Sequence, residues 1–195
     1  MSVIRYPFSE APQHGQPERT TMKRHIVLVG LPGAGKTTIG KLAAAALNAP
    51  FVDLDVAIEQ RAGKSIARVF AEDGEVAFRA LERSEMEAVL SAPPRVIAAG
   101  GGWAAQRGNL EAVASRGLTV YLSVAPELAA ERALPSADSR PLLSGGDAVG
   151  RMGEIFSARR SFYERCEVTV PAEPNDPRTV AKEVCNLARS LAGWY

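Results

Sequence analysis

Gly30-Leu31-Pro32-Gly33-Ala34-Gly35-Lys36-Thr37 matches the spacing G-x-x-x-x-G-K-[ST]. That spacing is chemistry for a polyphosphate. Glycines let successive backbone N–H groups turn inward, where side chains beyond Cβ would block an anion. A helix beginning near Gly35 adds its N-terminal N–H groups and partial positive charge. Lys36 is then placed to reach β- and γ-phosphates, and the Thr37 hydroxyl to ligate Mg²⁺. Leu31, Pro32, Gly33, Ala34, Gly35, Lys36, Thr37 and Thr38 therefore form the expected nucleotide-binding stretch.

Four further groups carry possible chemistry, each with a bland alternative. Asp53 and Asp55, two apart on an expected strand, share a face if the strand extends that far. Near a metal-bound triphosphate, one acid holds the metal's water shell and the other aligns an acceptor hydroxyl. The alternative for Asp55 is a helix N-cap before Val56-Ala57-Ile58. Arg79 and Glu82 stand at i, i+3 on one helical face, suited to clamping a carboxylate and equally to a surface ion pair. Gly100-Gly101-Gly102 opens backbone N–H groups to a ligand, or is a plain loop. Arg140, in a long loop, is either a mobile cation for phosphoryl transfer or a solvated charge. Arg159 and Arg160 read by default as solvated helix charges.

The elements that must hold these groups alternate. Apolar runs at His25–Val29, Phe51–Asp55, Arg95–Ala99, Leu118–Val124 and Glu167–Val170 read as five strands. Between them fall helical patterns at about 35–47, after Asp55 to Gly63, 65–72, 75–90, 106–115, from Pro126, and 151–165, with a last helix at 177–191. Val76, Phe78, Leu81, Met86, Val89 and Leu90 are the expected apolar anchors of the longest. The order predicts an α/β fold with a parallel sheet covered on both faces and ligands at the strands' carboxyl ends. Residues 1–23 read as a flexible arm and 24–195 as one domain; residues 135–150 are turn-rich, the length of a functional loop.

In this order and spacing the motifs resemble the shikimate kinase family across most of residues 25–190. The likeness rests on GLPGAGKTTIG, DLDVAIEQRAGKSI, AFRALE, AAGGG, SRPLL and ARRSFYE. It implies a P-loop NTPase fold of the nucleoside-monophosphate-kinase type, a five-stranded parallel sheet flanked by helices with a mobile lid. It also implies transfer of the γ-phosphoryl of ATP to the 3-hydroxyl of shikimate, with Mg²⁺, in aromatic amino-acid synthesis. By motif position, Asp55 contacts shikimate and is the candidate base, and Asp53 with Thr37 serves the metal. Arg79 and Arg159 take the substrate carboxylate, Gly101 touches ring hydroxyls through its backbone, and Arg140 is the lid arginine facing ATP. Ile66, Phe70, Phe78, Pro32 and Leu142 line the pocket. Three features depart from the pattern: the longer N-terminal arm, no arginine near Pro171–Pro177, and bulky Trp103 after the glycines. A gluconate kinase also takes an anionic polyol, but this acidic, glycine and arginine set suits shikimate better. A silent family member acting as a regulatory domain would be expected to lose some of these residues.

Composition narrows the rest. The formal net charge is +1 and Lys and Arg form no run, so bulk attraction to nucleic acid or anionic membrane is not expected. No apolar stretch approaches the ~20 residues of a membrane span. Cys166 and Cys185 are not at metal spacing and read as bland thiols. A monomeric cytoplasmic enzyme is the expectation.

Overall fold

The structure, a computed structural model, describes residues 22–133, 147–173 and 176–195. Residues 1–21 of the expected arm, residues 135–146 of the expected lid with Arg140 and Leu142, and Pro174 with Asn175 lie outside the described residues.

Five parallel strands form one sheet in the order β2-β3-β1-β4-β5. They are β1 (His25–Val29), β2 (Phe51–Asp53), β3 (Val96–Ala98), β4 (Gly117–Ser123) and β5 (Val168–Pro171). Every residue of β1 is buried, as a central strand covered on both faces requires. Its register runs Val27 against Ile97 on one side and against Thr119 on the other. The chain leaves β1 toward β2 and leaves β3 toward β4, in opposite directions across the sheet. The loops after β1 and β3 therefore flank the point where the strand order reverses, the usual ligand crevice of such sheets.

The helices are α1 (Lys36–Ala46), α2 (Leu54–Ala62), α3 (Ile66–Glu72), α4 (Gly74–Leu90), α5 (Asn109–Val113), α6 (Pro126–Ala133), α7 (Ala148–Tyr163) and α8 (Pro177–Leu191). In α8, Pro177 opens the first turn, and Val180, Ala181, Val184, Cys185, Leu187 and Ala188 form a buried stripe against α1. Both cysteines are buried thiols, and desolvation pushes Cys166 up to about 12, so neither is a nucleophile at neutral pH. Among the described residues, no helix is long and apolar enough to cross a membrane.

Several expectations are corrected. The second strand stops at Asp53, because the Asp53 carboxylate accepts the Asp55 N–H at 3.2 Å and caps α2 there. Asp53 and Asp55 thus occupy a helix cap and a first turn, and they do not share a strand face. The helix cap that stood as the alternative reading of Asp55 is made by Asp53. Val76 is no anchor: it is 86% exposed, while Phe78, Met86, Val89 and Leu90 are buried. The helix expected over 106–115 is shorter, α5 covering only Asn109–Val113 after Gly108 at φ 88°, and a 3₁₀ turn precedes it at Trp103–Ala105. Helix α7 begins earlier than expected, so residues 148–150 belong to its first turn and not to a lid. Asp147 starts it by accepting the Gly150 N–H at 2.8 Å.

Candidate active site

The loop after β1 is held by close backbone contact. Gly30 has φ 146°, and a methyl group on it would sit 2.7 Å from the Leu122 carbonyl oxygen of β4. Gly33 has φ 84°, and a methyl there would meet the Ala129 carbonyl oxygen of α6 at 2.1 Å. Only glycine satisfies both the left-handed backbone and the contact. Lys36 Nζ donates to the carbonyl oxygens of Gly30 and Leu31 at 2.9 Å each, which holds the ammonium at the mouth of the loop. Thr37 Oγ1 donates to Asp53 Oδ2 at 2.6 Å. The Asp53 carboxylate therefore links β2, α2 and the start of α1.

A cleft of about 420 Å³ runs along this loop. Residues 33–39 form one wall, and Asp53, Asp55, Ala98 and Ala99 form its inner end. Arg132, Ala172, Pro177 and Val180 line its other end. The turn after β5 is tied to α6, since Ala125 N donates to Glu173 Oε1 at 2.5 Å.

Past Asp55 the chain from β3 continues as Gly100-Gly101-Gly102, and three groups close on it. A methyl on Gly100 would lie 2.7 Å from Asp55 Oδ1 and 3.1 Å from Glu82 Oε1. One on Gly101 would lie 3.1 Å from Pro32 Cδ. One on Gly102 would lie 3.3 Å from Arg79 Nη2 and 3.4 Å from Arg159 Nη2. Two guanidinium groups from different helices thus meet over one glycine. Arg79 is anchored by Glu82 at 2.8 Å and by Glu75 at 3.2 Å. Its guanidinium also lies 5.0 Å over the Phe78 ring, which in turn contacts Phe70 at 4.5 Å between centroids. Arg159 Nη1 donates to the Gly101 carbonyl oxygen at 3.0 Å.

Glu82 is 1% exposed. Burial pushes its carboxyl upward, beyond what the Arg79 hydrogen bond and charge return. Asp55 adds to the rise and Arg159 opposes it. We take burial as the winning effect because the side chain is almost wholly enclosed.

The structure brings together Lys36, Thr37, Asp53, Asp55, Arg79, Gly101 and Arg159 as expected; Arg140 and Leu142 lie outside the described residues. Two side chains here, Arg132 and Tyr163, carry little signal in the sequence, and for a third, Glu82, the spacing places it beside Arg79 without fixing its burial. Arg132 is in the last turn of α6, and nothing in its spacing marks it. Glu82 is buried, whereas i, i+3 spacing fits a surface pair as well. Tyr163, fully buried, donates its hydroxyl to Gly101 O at 2.6 Å. Its signals are its place in ARRSFYE and the i+4 spacing from Arg159, which puts both on one face of α7.

A parallel sheet of this order, a phosphate loop after its central strand, and a facing pocket with an acid and two guanidiniums define a P-loop kinase for a small anionic acceptor. The chain belongs to the shikimate kinase family, whose model matches residues 32–189. It is 42% identical over 140 residues to the shikimate kinase of Symbiobacterium thermophilum, covering 71% of this chain and 80% of that one. The solved structure of shikimate kinase from Acinetobacter baumannii in complex with shikimate superposes with a TM-score of 0.82 at 32% identity, covering 87% of this chain and 95% of that one. A gluconokinase from Sinorhizobium meliloti shares the fold alone, with a TM-score of 0.60 at 16% identity over 88% of this chain and 94% of its own.

The raised Glu82 carboxyl gives a pH prediction. Its ordinary value is 4.5 and its folded value lies higher, so the folded state favours the protonated form. Wild-type stability relative to Glu82→Gln should be greatest below about pH 4.5 and fall as pH rises through the folded value. Denaturant titrations of both proteins from pH 4 to 8 measure this; a stability difference rising with pH contradicts the assignment.

Proposed function

We propose that this chain transfers the γ-phosphoryl group of ATP to the 3-hydroxyl of shikimate, giving shikimate 3-phosphate and ADP. The observation that carries the reading is the pair of guanidiniums over Gly102, with the Asp55 carboxylate beside Gly100. Arg79 and Arg159 take the acceptor's carboxylate with fixed, planar donors. Asp55 then faces the ring hydroxyls across a side-chain-free strip. Because the Gly101 carbonyl oxygen is engaged by Arg159 and Tyr163, the backbone contact to the substrate falls to the amide.

The nucleotide's phosphates lie on residues Leu31–Thr38, against the α1 N-terminus and Lys36. Arg132, Ala172 and Pro177, which line the far end of the same cleft, receive the base. This guanidinium stands in for the arginine missing from the turn before α8. Thr37 and Asp53 offer two hard oxygens 2.6 Å apart, a donor set that fits a magnesium ion keeping water and phosphate ligands. Bound with ATP, that ion offsets charge on the β- and γ-oxygens. Asp55 orients the 3-hydroxyl and accepts its proton as the oxygen–phosphorus bond forms and the bridge to ADP breaks. The transition state is loose, so alignment by Asp55 contributes more than early deprotonation. Arg140 is proposed to approach the phosphates and exclude water. The enzyme is proposed to be a cytoplasmic monomer in which residues 1–23 take no part in catalysis.

ADP release coupled to NADH oxidation, measured with shikimate, gluconate or quinate as acceptor, tests the function. Shikimate-dependent release is expected; release with gluconate alone would assign a different kinase. Asp55→Asn should lower turnover by about 10²–10⁴-fold with ATP affinity retained. Turnover near wild type would remove Asp55 from its role.

A further inference from the structure

Tyr163 closes α7 and is 0% exposed. Its hydroxyl and Arg159 Nη1 both donate to the Gly101 carbonyl oxygen, at 2.6 and 3.0 Å. A carbonyl oxygen has two lone pairs, so these donors use both. The Tyr163 ring stacks on Tyr121, with centroids 5.1 Å apart and planes 16° apart. Tyr121 lies in β4 opposite Val29, the last residue of β1 before the phosphate loop. The phenol is thus braced by the sheet, while Arg159 is a long side chain that must hold a backbone oxygen and present its other nitrogen at Gly102.

We propose that Tyr163 is a positioning residue for the acceptor site. By sharing the Gly101 carbonyl with Arg159, it fixes the tilt of the Gly101–Gly102 peptide and the angle of the guanidinium toward the substrate carboxylate. This rests on the acceptor reading of the preceding subsection. Burial raises the Tyr163 phenol above its ordinary value, so the hydroxyl stays a donor across neutral pH. Without that donor, the peptide is held by a flexible partner alone, and Arg159 must choose between carbonyl and ligand geometry. The expected loss falls on acceptor binding and spares the nucleotide cleft, which Tyr163 does not line.

Tyr163→Phe keeps the ring and its stack and removes only the hydrogen bond. Its KM for shikimate should rise about tenfold, the equivalent of ~1.4 kcal/mol and the scale of one hydrogen bond. Its kcat and its KM for ATP should stay within about twofold of wild type. An unchanged shikimate KM overturns the proposal. So do equal rises in both KM values with a lowered melting temperature, the mark of a merely structural residue. If Tyr163→Phe does not fold, Tyr121→Leu removes the brace beneath the ring and should give the same split between the two KM values. Absence of the split there overturns the proposal as well. A wild-type enzyme inactive on shikimate overturns the underlying reading too, whereas an active wild type with an indifferent variant overturns the Tyr163 role alone.

Discussion

The acceptor side of this enzyme depends on close approach to a backbone without side chains. Asp55 and Glu82 from α2 and α4, Pro32 from the phosphate loop, and Arg79 and Arg159 from α4 and α7 all come within a methyl group's reach of Gly100–Gly102. None of the three glycines needs a left-handed backbone; what they supply is room. Any Cβ there would push a carboxylate, a proline or a guanidinium outward. The alternation of charge follows from this crowding. Glu82 is tolerated in a buried position because Arg79 bonds to it, and Arg79 stays fixed in turn. Removing Arg79 would leave the enclosed Glu82 carboxylate without its hydrogen-bonded cation, whereas removing Glu82 would leave Arg79 held by Glu75 alone.

The nucleotide side rests on the same device with a different glycine chemistry. Gly30 and Gly33 adopt left-handed backbone and press against carbonyls of β4 and α6, so the loop's shape is set by two neighbouring elements. Helix α6 is thereby joined to the phosphate loop at Ala129, to the turn after β5 through Glu173, and to the cleft through Arg132. A shift of this one helix would be felt both at the phosphate loop and at the Arg132 end of the cleft.

Much of this was legible in the residues. The apolar runs fell where the five strands are; the central strands β3, β1 and β4 are buried almost throughout and tolerate little that is polar, while the edge strands β2 and β5 are only partly buried. The phosphate loop was legible because its chemistry is local in sequence. What stayed illegible was non-local. Whether Glu82 faces water or the site is decided by α7 and the glycine strip, not by its own helix. Val76 fits the helical period of α4 yet points away, since the period fixes a face but not its width. The cap at Asp53 is hard to place from the residues because a strand end and a helix start compete for the same short stretch. Arg132 reaches the cleft, and Tyr163 the Gly101 carbonyl, only through the packing of α6 and α7, which no local pattern records.

In the proposed reaction, two guanidiniums held over the glycine strip select the acceptor by its carboxylate. The most direct measurement compares kcat/KM for shikimate and for its methyl ester, which keeps every ring hydroxyl and removes the charge. Loss of one partner from a desolvated charge pair predicts a fall of at least about thirtyfold for the ester, carried mainly by KM. Equal kcat/KM for acid and ester would show that the acceptor is not selected by its carboxylate.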